Sequence, residues 1–138
     1  MPGFLIRTPK GEMIHFQFYH EAAPITIAEF SKTLPFSQSF LHARVSGQEI
    51  WTDKAPELDI IQENASVFAA VGEIGIGPRK PGRVKTAGCM GIYYGEGKGV
   101  DACNIFGKVI DEDLPLLQQL GNRIWMKGEE VLTFEIMV

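Results

Sequence analysis

The chain is 138 residues long and 45% apolar, and it carries 13 Lys and Arg against 17 Asp and Glu, for a formal net charge of −4. That apolar content excludes a disordered chain, and the length suffices to bury a core without a metal or a disulfide. An acidic balance with no dense basic cluster excludes a general grip on nucleic-acid phosphates, and no apolar run approaches the roughly 20 residues that cross a bilayer.

One domain over residues 1–138 is expected. Phe4–Ile6 reads as a short strand and Lys10-Gly11 as the turn after it. Ile14, Phe16 and Phe18 then alternate with His15, Gln17 and Tyr19, the period of a strand with one buried face. Ile25–Phe30 opens a helix: Thr26 and Glu29 have capping-box spacing, Ile25 and Phe30 the spacing of a hydrophobic staple. Leu34-Pro35 ends it, because the residue before proline avoids the helical region. Ser39–Val45 reads as a strand with Leu41, Ala43 and Val45 on one side and Phe40, His42 and Arg44 on the other. Glu49–Thr52 follows as a strand, residues 53–66 as an irregular connection, Val67–Val71 as a strand, and Gly72–Gly77 as a further extended segment.

Residues 77–88 hold prolines, glycines and the basic set Arg79, Lys80, Arg83 and Lys85, and are expected to form a mobile solvated loop. Cys89–Gly95 and Cys103–Val109 then have strand composition around the glycine-rich Gly95–Gly99, a β-ribbon signal. Asp111–Asp113 precede Leu114, Leu117 and Leu120 as the acidic start of a helix, with Gly121 as its natural stop. Leu132, Phe134, Ile136 and Val138 alternate with Thr133, Glu135 and Met137 in a closing strand. Seven or eight strands with two short helices must protect their edges, and a closed barrel does so completely.

This order of elements resembles cyclophilins. Ile25–Phe30 resembles the cyclophilin T-A-x-N-F helix, and Asn104–Val109 the V-V-F-G-K-V strand, with Asp111–Leu120 as the helix after it. The likeness is closer to small bacterial cyclophilin-like domains of uncharacterised function, through Leu34-Pro35-Phe36, Gly47–Trp51, Gly72–Ile76 and Tyr93-Tyr94-Gly95. It implies a mainly β fold: a closed antiparallel eight-stranded barrel with two short helices capping its ends. Cyclophilins that isomerise prolyl bonds use an arginine in an F-H-R strand, and Leu41–Arg44 offers Arg44 at a comparable place. The other parts of that machinery are not matched. Tyr93-Tyr94 stand where M-A-N-A is expected, the Q-F-F strand has no counterpart, and Cys103 occupies the place of a histidine.

The candidate site is therefore Arg44 and His42 on β-structure, with Trp51, Tyr93, Tyr94 and Cys103 as further lining. The arginine fork suits a carboxylate or a carbonyl, and rings with polar tips suit a pocket mouth. The competing structural reading leaves Arg44 and His42 in solvent, or pairs Arg44 with Glu73, and puts the aromatics in the core. The function this favours is a binding domain for a small organic acid or an extended peptide segment, anchored by Arg44. The alternatives are a peptidyl-prolyl isomerase with Arg44 as its catalytic group, and a non-catalytic module of a bacterial amidohydrolase-type complex. His15, His20, His42, Cys89 and Cys103 lack ligand spacing, so no metal and no cofactor are expected. Glu129-Glu130 read as solvated. Neither nucleic acid nor membrane is expected as a partner, oligomerisation is left open, and a start without signal-peptide layout points to the cytoplasm, where the two cysteines would be reduced thiols.

Overall fold

The computed structural model describes residues 1–79 and 86–137. Alternating apolar side chains at the N-terminus form β1 (Gly3–Arg7) and β2 (Met13–Phe18), paired antiparallel from Gly3↔Gln17 to Arg7↔Met13. Gly11, at φ 89°, makes the turn between them and donates its N–H to the Thr8 carbonyl. The last strand, β8 (Glu130–Ile136), pairs with the other edge of β1, at Ile6↔Phe134 among other positions. Beyond β8 come β3 (Phe36–His42) and β4 (Gly47–Thr52), joined by a short turn. The 20-residue β7 (Met90–Val109) meets β4 near its start and β2 at its end, while β5 (Ala65–Phe68) and β6 (Glu73–Ile76) both pair with it. The eight strands therefore form a sheet that runs in a ring.

The expected β-ribbon over residues 89–109 is corrected here. Ile74 of β6 faces Ile92 on one side and Gly107 on the other, and both pairings are antiparallel. Two strands antiparallel to a common neighbour run in the same direction, so the ends of β7 cannot be the arms of a hairpin. Residues 93–103 instead travel out and return, pairing with β4 at Gly47↔Gly97 and with β5 at Phe68↔Lys98. The glycine run is part of this excursion rather than a tight turn. The strand expected at Val67–Val71 is shifted to Ala65–Phe68, because its partner is this excursion.

The ring encloses a core of phenylalanines. The Phe4 ring lies 5.0 Å from Phe16, 5.5 Å from Phe18, 5.2 Å from Phe30 and 5.7 Å from Phe134, centroid to centroid. These rings arrive from β1, β2, β8 and a helix, so their mutual packing locks distant parts of the chain together. That helix is α1 (Pro24–Ser31), which buries Thr26, Ile27 and Phe30.

The start of α1 departs from the capping-box expectation. The helix begins at Pro24, so Thr26 lies inside its first turn, and Ile25 is exposed rather than stapled to Phe30. Glu63, from the connection after β4, supplies the cap: its carboxylate accepts hydrogen bonds from the N–H groups of Ile25 and Thr26 and from the Thr26 hydroxyl. Fully buried Asn104 completes the set, accepting from the Glu63 N–H and donating to Thr26 Oγ1 and the Ile61 carbonyl. A tertiary carboxylate thus does for the free helical N–H groups what a local side chain was expected to do.

The second helix is longer than expected. After a 3-10 turn at Asp111–Asp113, α2 runs from Leu114 to Lys127 and buries Leu117, Leu120, Gly121 and Ile124 along one stripe. Gly121 is not its stop. A Cβ there would fall 2.2 Å from Cδ1 of Tyr94, so the glycine lets the helix lie directly on that ring. Gly128, at φ 102°, ends the helix. Arg123 on α2 pairs with Glu12 of the β1–β2 turn at 2.8 Å and with Glu130 of β8 at 2.5 Å, and Glu129 accepts from the Ser39 hydroxyl. The two glutamates read as solvated are therefore engaged. Val138 of the expected alternation and residues 80–85 of the basic loop lie outside the described residues.

Phe4→Ala removes the ring shared by five aromatic neighbours and is predicted to destabilise the protein by about 3–5 kcal/mol, read from urea unfolding midpoints. Glu63→Ala is predicted to cost about 1–2 kcal/mol in the same measurement, although it removes no core volume.

An outward-facing cleft as candidate functional site

Paired residues on neighbouring antiparallel strands point to the same side of a sheet. On β3, β4 and β7, the row Ile50↔Ile92 faces the core, and both residues are fully buried. The neighbouring rows, Leu41↔Trp51↔Gly91 and Glu49↔Tyr93, therefore face outward. Gly91 in turn lies beside Gly75 of β6. These glycines leave room on the outer face for neighbouring side chains, and a cleft of about 800 Å³ borders them. Trp51, Tyr93, Val100, Cys103 and Trp125 contribute to its walls, and Arg44 stands at its rim.

Glu49 is a buried charged group in this wall, and Asp101 and Glu129 also border the cleft. Its carboxylate folds back over Gly91, where a Cβ would fall 1.8 Å from Oε2. The Ser46 hydroxyl donates to Oε1 at 2.5 Å, and the Tyr93 hydroxyl faces the same carboxylate. Burial raises the Glu49 pKa, and Ser46 and Tyr93 offset part of that rise. Tyr93 is also raised, first by burial and then by the charge of Glu49. The Cys103 thiol is pushed up to about 12, again chiefly by burial, and Cys89 is raised for the same reason.

The glycine-rich excursion of β7 holds these groups in place. The Lys98 N–H donates to the Ser46 carbonyl at 3.0 Å. A Cβ on Gly97 would fall 2.8 Å from Cε2 of Tyr93, so the backbone there lies on the face of the ring. Gly47, at φ 89°, makes the matching close approach from the β3–β4 turn, since a Cβ there would fall 2.5 Å from the Glu96 carbonyl oxygen.

Of the residues singled out in the sequence, Arg44, His42, Trp51, Tyr93 and Cys103 all border the cleft. Arg44 does so from the β3–β4 turn rather than from a strand, because β3 spans Phe36–His42 and ends before it. Its guanidinium is exposed and has no hydrogen bond or ion pair among the described residues, and Glu73 accepts from Tyr19 instead. Tyr94 is placed elsewhere. It points to the core side, beneath Gly121, because successive residues of a strand face opposite ways. His42 connects the two environments. The Ala43 carbonyl can only accept, so His42 Nδ1 donates to it at 2.7 Å, and Nε2 meets the Tyr94 hydroxyl at 2.7 Å. The imidazole also packs edge-on against Trp125, with centroids 4.7 Å apart.

Glu49 and Trp125 were missed in the sequence. The alternation Glu49-Ile50-Trp51 carried a usable signal for the first, since it places Glu49 on the face of Trp51. Trp125 was hidden by reading Gly121 as a helix stop. Of the loop expected at residues 77–88, Thr86 borders the cleft, as does Cys89 just after it.

A ring of eight strands with two helices is a cyclophilin-like fold, and similar solved structures agree. McbB, solved in complex with tryptophan, matches at TM-score 0.70 and 17% identity over 96% of this chain, which spans 44% of McbB. A cyclophilin-type peptidyl-prolyl cis-trans isomerase from Cryptosporidium parvum, solved in the presence of the dipeptide Ala-Pro, matches at TM-score 0.62 and 18% identity over 99% of both chains. The hypothetical protein AF2241 from Archaeoglobus fulgidus matches at TM-score 0.60 and 18% identity over 96% of this chain and 92% of its own. At such identities the likeness is one of fold. No curated protein is a significant match to the chain. Residues 9–136 match the family model described as protein of unknown function, DUF3830, and the chain belongs to that family.

With a pKa of about 12, Cys103 holds on the order of 10⁻⁴ of its population as thiolate at pH 8, far less than a free thiol. Labelling of Cys103 by a thiol-specific disulfide reagent at pH 8 is predicted to be at least about tenfold slower in the folded protein than in urea-unfolded chain. Labelling at equal rates would show that the thiol is not held in its protonated form.

Proposed function

We propose that the cleft binds a small organic acid with an apolar body, or an extended peptide segment, through Arg44. The observation that carries this reading is an arginine without a partner among the described residues, at the rim of an aromatic-walled cleft. A guanidinium fork binds a carboxylate through two parallel hydrogen bonds, and a ligand with that group would pair with Arg44. The apolar body would lie along Trp51 and Val100. Concave, mostly apolar sites with a few orienting polar groups are the usual form of small-molecule sites. The similar structures solved with tryptophan and with Ala-Pro are consistent with ligands of this size and character.

Isothermal titration with indole-3-propionate, 3-phenylpropionate and Ala-Pro tests the reading. At least one of them is predicted to bind the wild type and to lose about 10–100-fold in affinity to Arg44→Ala, the effect of removing a charged hydrogen-bond partner. Affinity unchanged by the substitution would remove Arg44 from the site.

A further inference from the structure

Resting on the reading above, we infer that the ligand is a zwitterion: a free α-amino acid with an aromatic or large apolar side chain, its carboxylate on Arg44 and its ammonium on Glu49. The starting point is the placement of opposite charges on the β3–β4 turn and the strand that follows it. The Ala43 N–H donates to the Glu49 carbonyl, so Arg44 follows directly on the cross-strand partner of Glu49. Both residues border the same cleft, yet they do not pair with each other. Glu49 is held away from Arg44 by Ser46 and Tyr93 on one side and by the opening at Gly91 on the other.

A carboxylate offers about four acceptor positions, and the Ser46 hydroxyl occupies one of them. The remaining capacity belongs to a group that borders an aromatic cleft. An acid with no other charge would bring its carboxylate toward Arg44 and suffer repulsion from Glu49. A ligand with an ammonium beside its carboxylate turns that repulsion into attraction. In an α-amino acid both charged groups are attached to one carbon, which suits an arginine in the β3–β4 turn and a glutamate on the strand that follows it. In an extended peptide they are separated by roughly 3.3–3.6 Å for every residue of chain, which carries one terminus away from the turn. Burial of Glu49 strengthens the selection, because a carboxylate taken out of water gains more from a cationic partner than an exposed one does.

Isothermal titration at pH 7.5 with L-tryptophan, indole-3-propionate, which lacks the amine, and tryptamine, which lacks the carboxylate, tests the inference. For the wild type, tryptophan is expected to bind at least about tenfold more tightly than either analogue. Glu49→Gln is expected to abolish the advantage of tryptophan over indole-3-propionate while leaving the latter bound as well as before or better. Gly91→Ala provides a second route, since its Cβ would displace the Glu49 carboxylate without removing it, and the same loss of discrimination is expected. Thermal unfolding of each variant establishes that it is folded, and the wild-type comparison stands even if one is not. Equal binding of tryptophan and indole-3-propionate by the wild type would overturn the zwitterion and leave the organic-acid reading intact, as would discrimination that survives both substitutions in folded protein. Failure of all three ligands to bind would overturn the two readings together.

Discussion

The structure depends on β6 lying between two ends of one strand. Ile74 and its neighbours pair with the start of β7 on one edge and with its end on the other, and this pairing carries the sheet from β4 round to β2. Because both ends run in the same direction, residues 93–103 have to leave the ring and come back to it. That excursion lies over the outer face, its backbone against Tyr93. The ring closure and the shape of the cleft therefore have a common cause in strand direction.

Tyr93 and Tyr94 show how one strand serves two environments. The first reaches Glu49 in the cleft wall, and the second lies under α2 and reaches His42. His42 links them across the sheet, since the same imidazole touches Trp125 at the cleft. The position of α2 is thus coupled to the cleft wall through Gly121, Tyr94 and His42. Arg123, bound to Glu12 and Glu130, fixes that helix against the N-terminal turn and the last strand. Engaged carboxylates hold the frame, whereas Arg44, without a partner among the described residues, faces the cleft.

Much of the fold was legible in the chain. Alternation at Ile14, Phe16 and Phe18 and at Leu132 and Phe134 identified strands with one buried face, and those residues form the core. The order of motifs pointed to a cyclophilin-like arrangement, which the ring of strands and the similar structures share. The local readings that failed were those in which a distant group took over a local role. Thr26 has capping-box spacing, but Glu63 reaches the same N–H groups from elsewhere. Gly121 has the composition of a helix stop, but the Tyr94 ring demands a glycine within the helix. Gly95–Gly99 has the composition of a turn, but its glycines permit backbone to lie on Tyr93.

By itself, the sequence determined which residues are inside and which segments extend or coil, because side-chain periodicity and backbone preference act between near neighbours. It also drew attention to Arg44, Trp51, Tyr93 and Cys103, through residue chemistry and resemblance. Only the tertiary structure decided that these border one cleft, that Tyr94 does not, and that Glu49 joins them. Those outcomes follow from strand register and direction, which long-range pairing sets and no local pattern encodes: Glu49 meets Tyr93, and Gly91 makes room for its carboxylate, only once β4 and β7 are aligned.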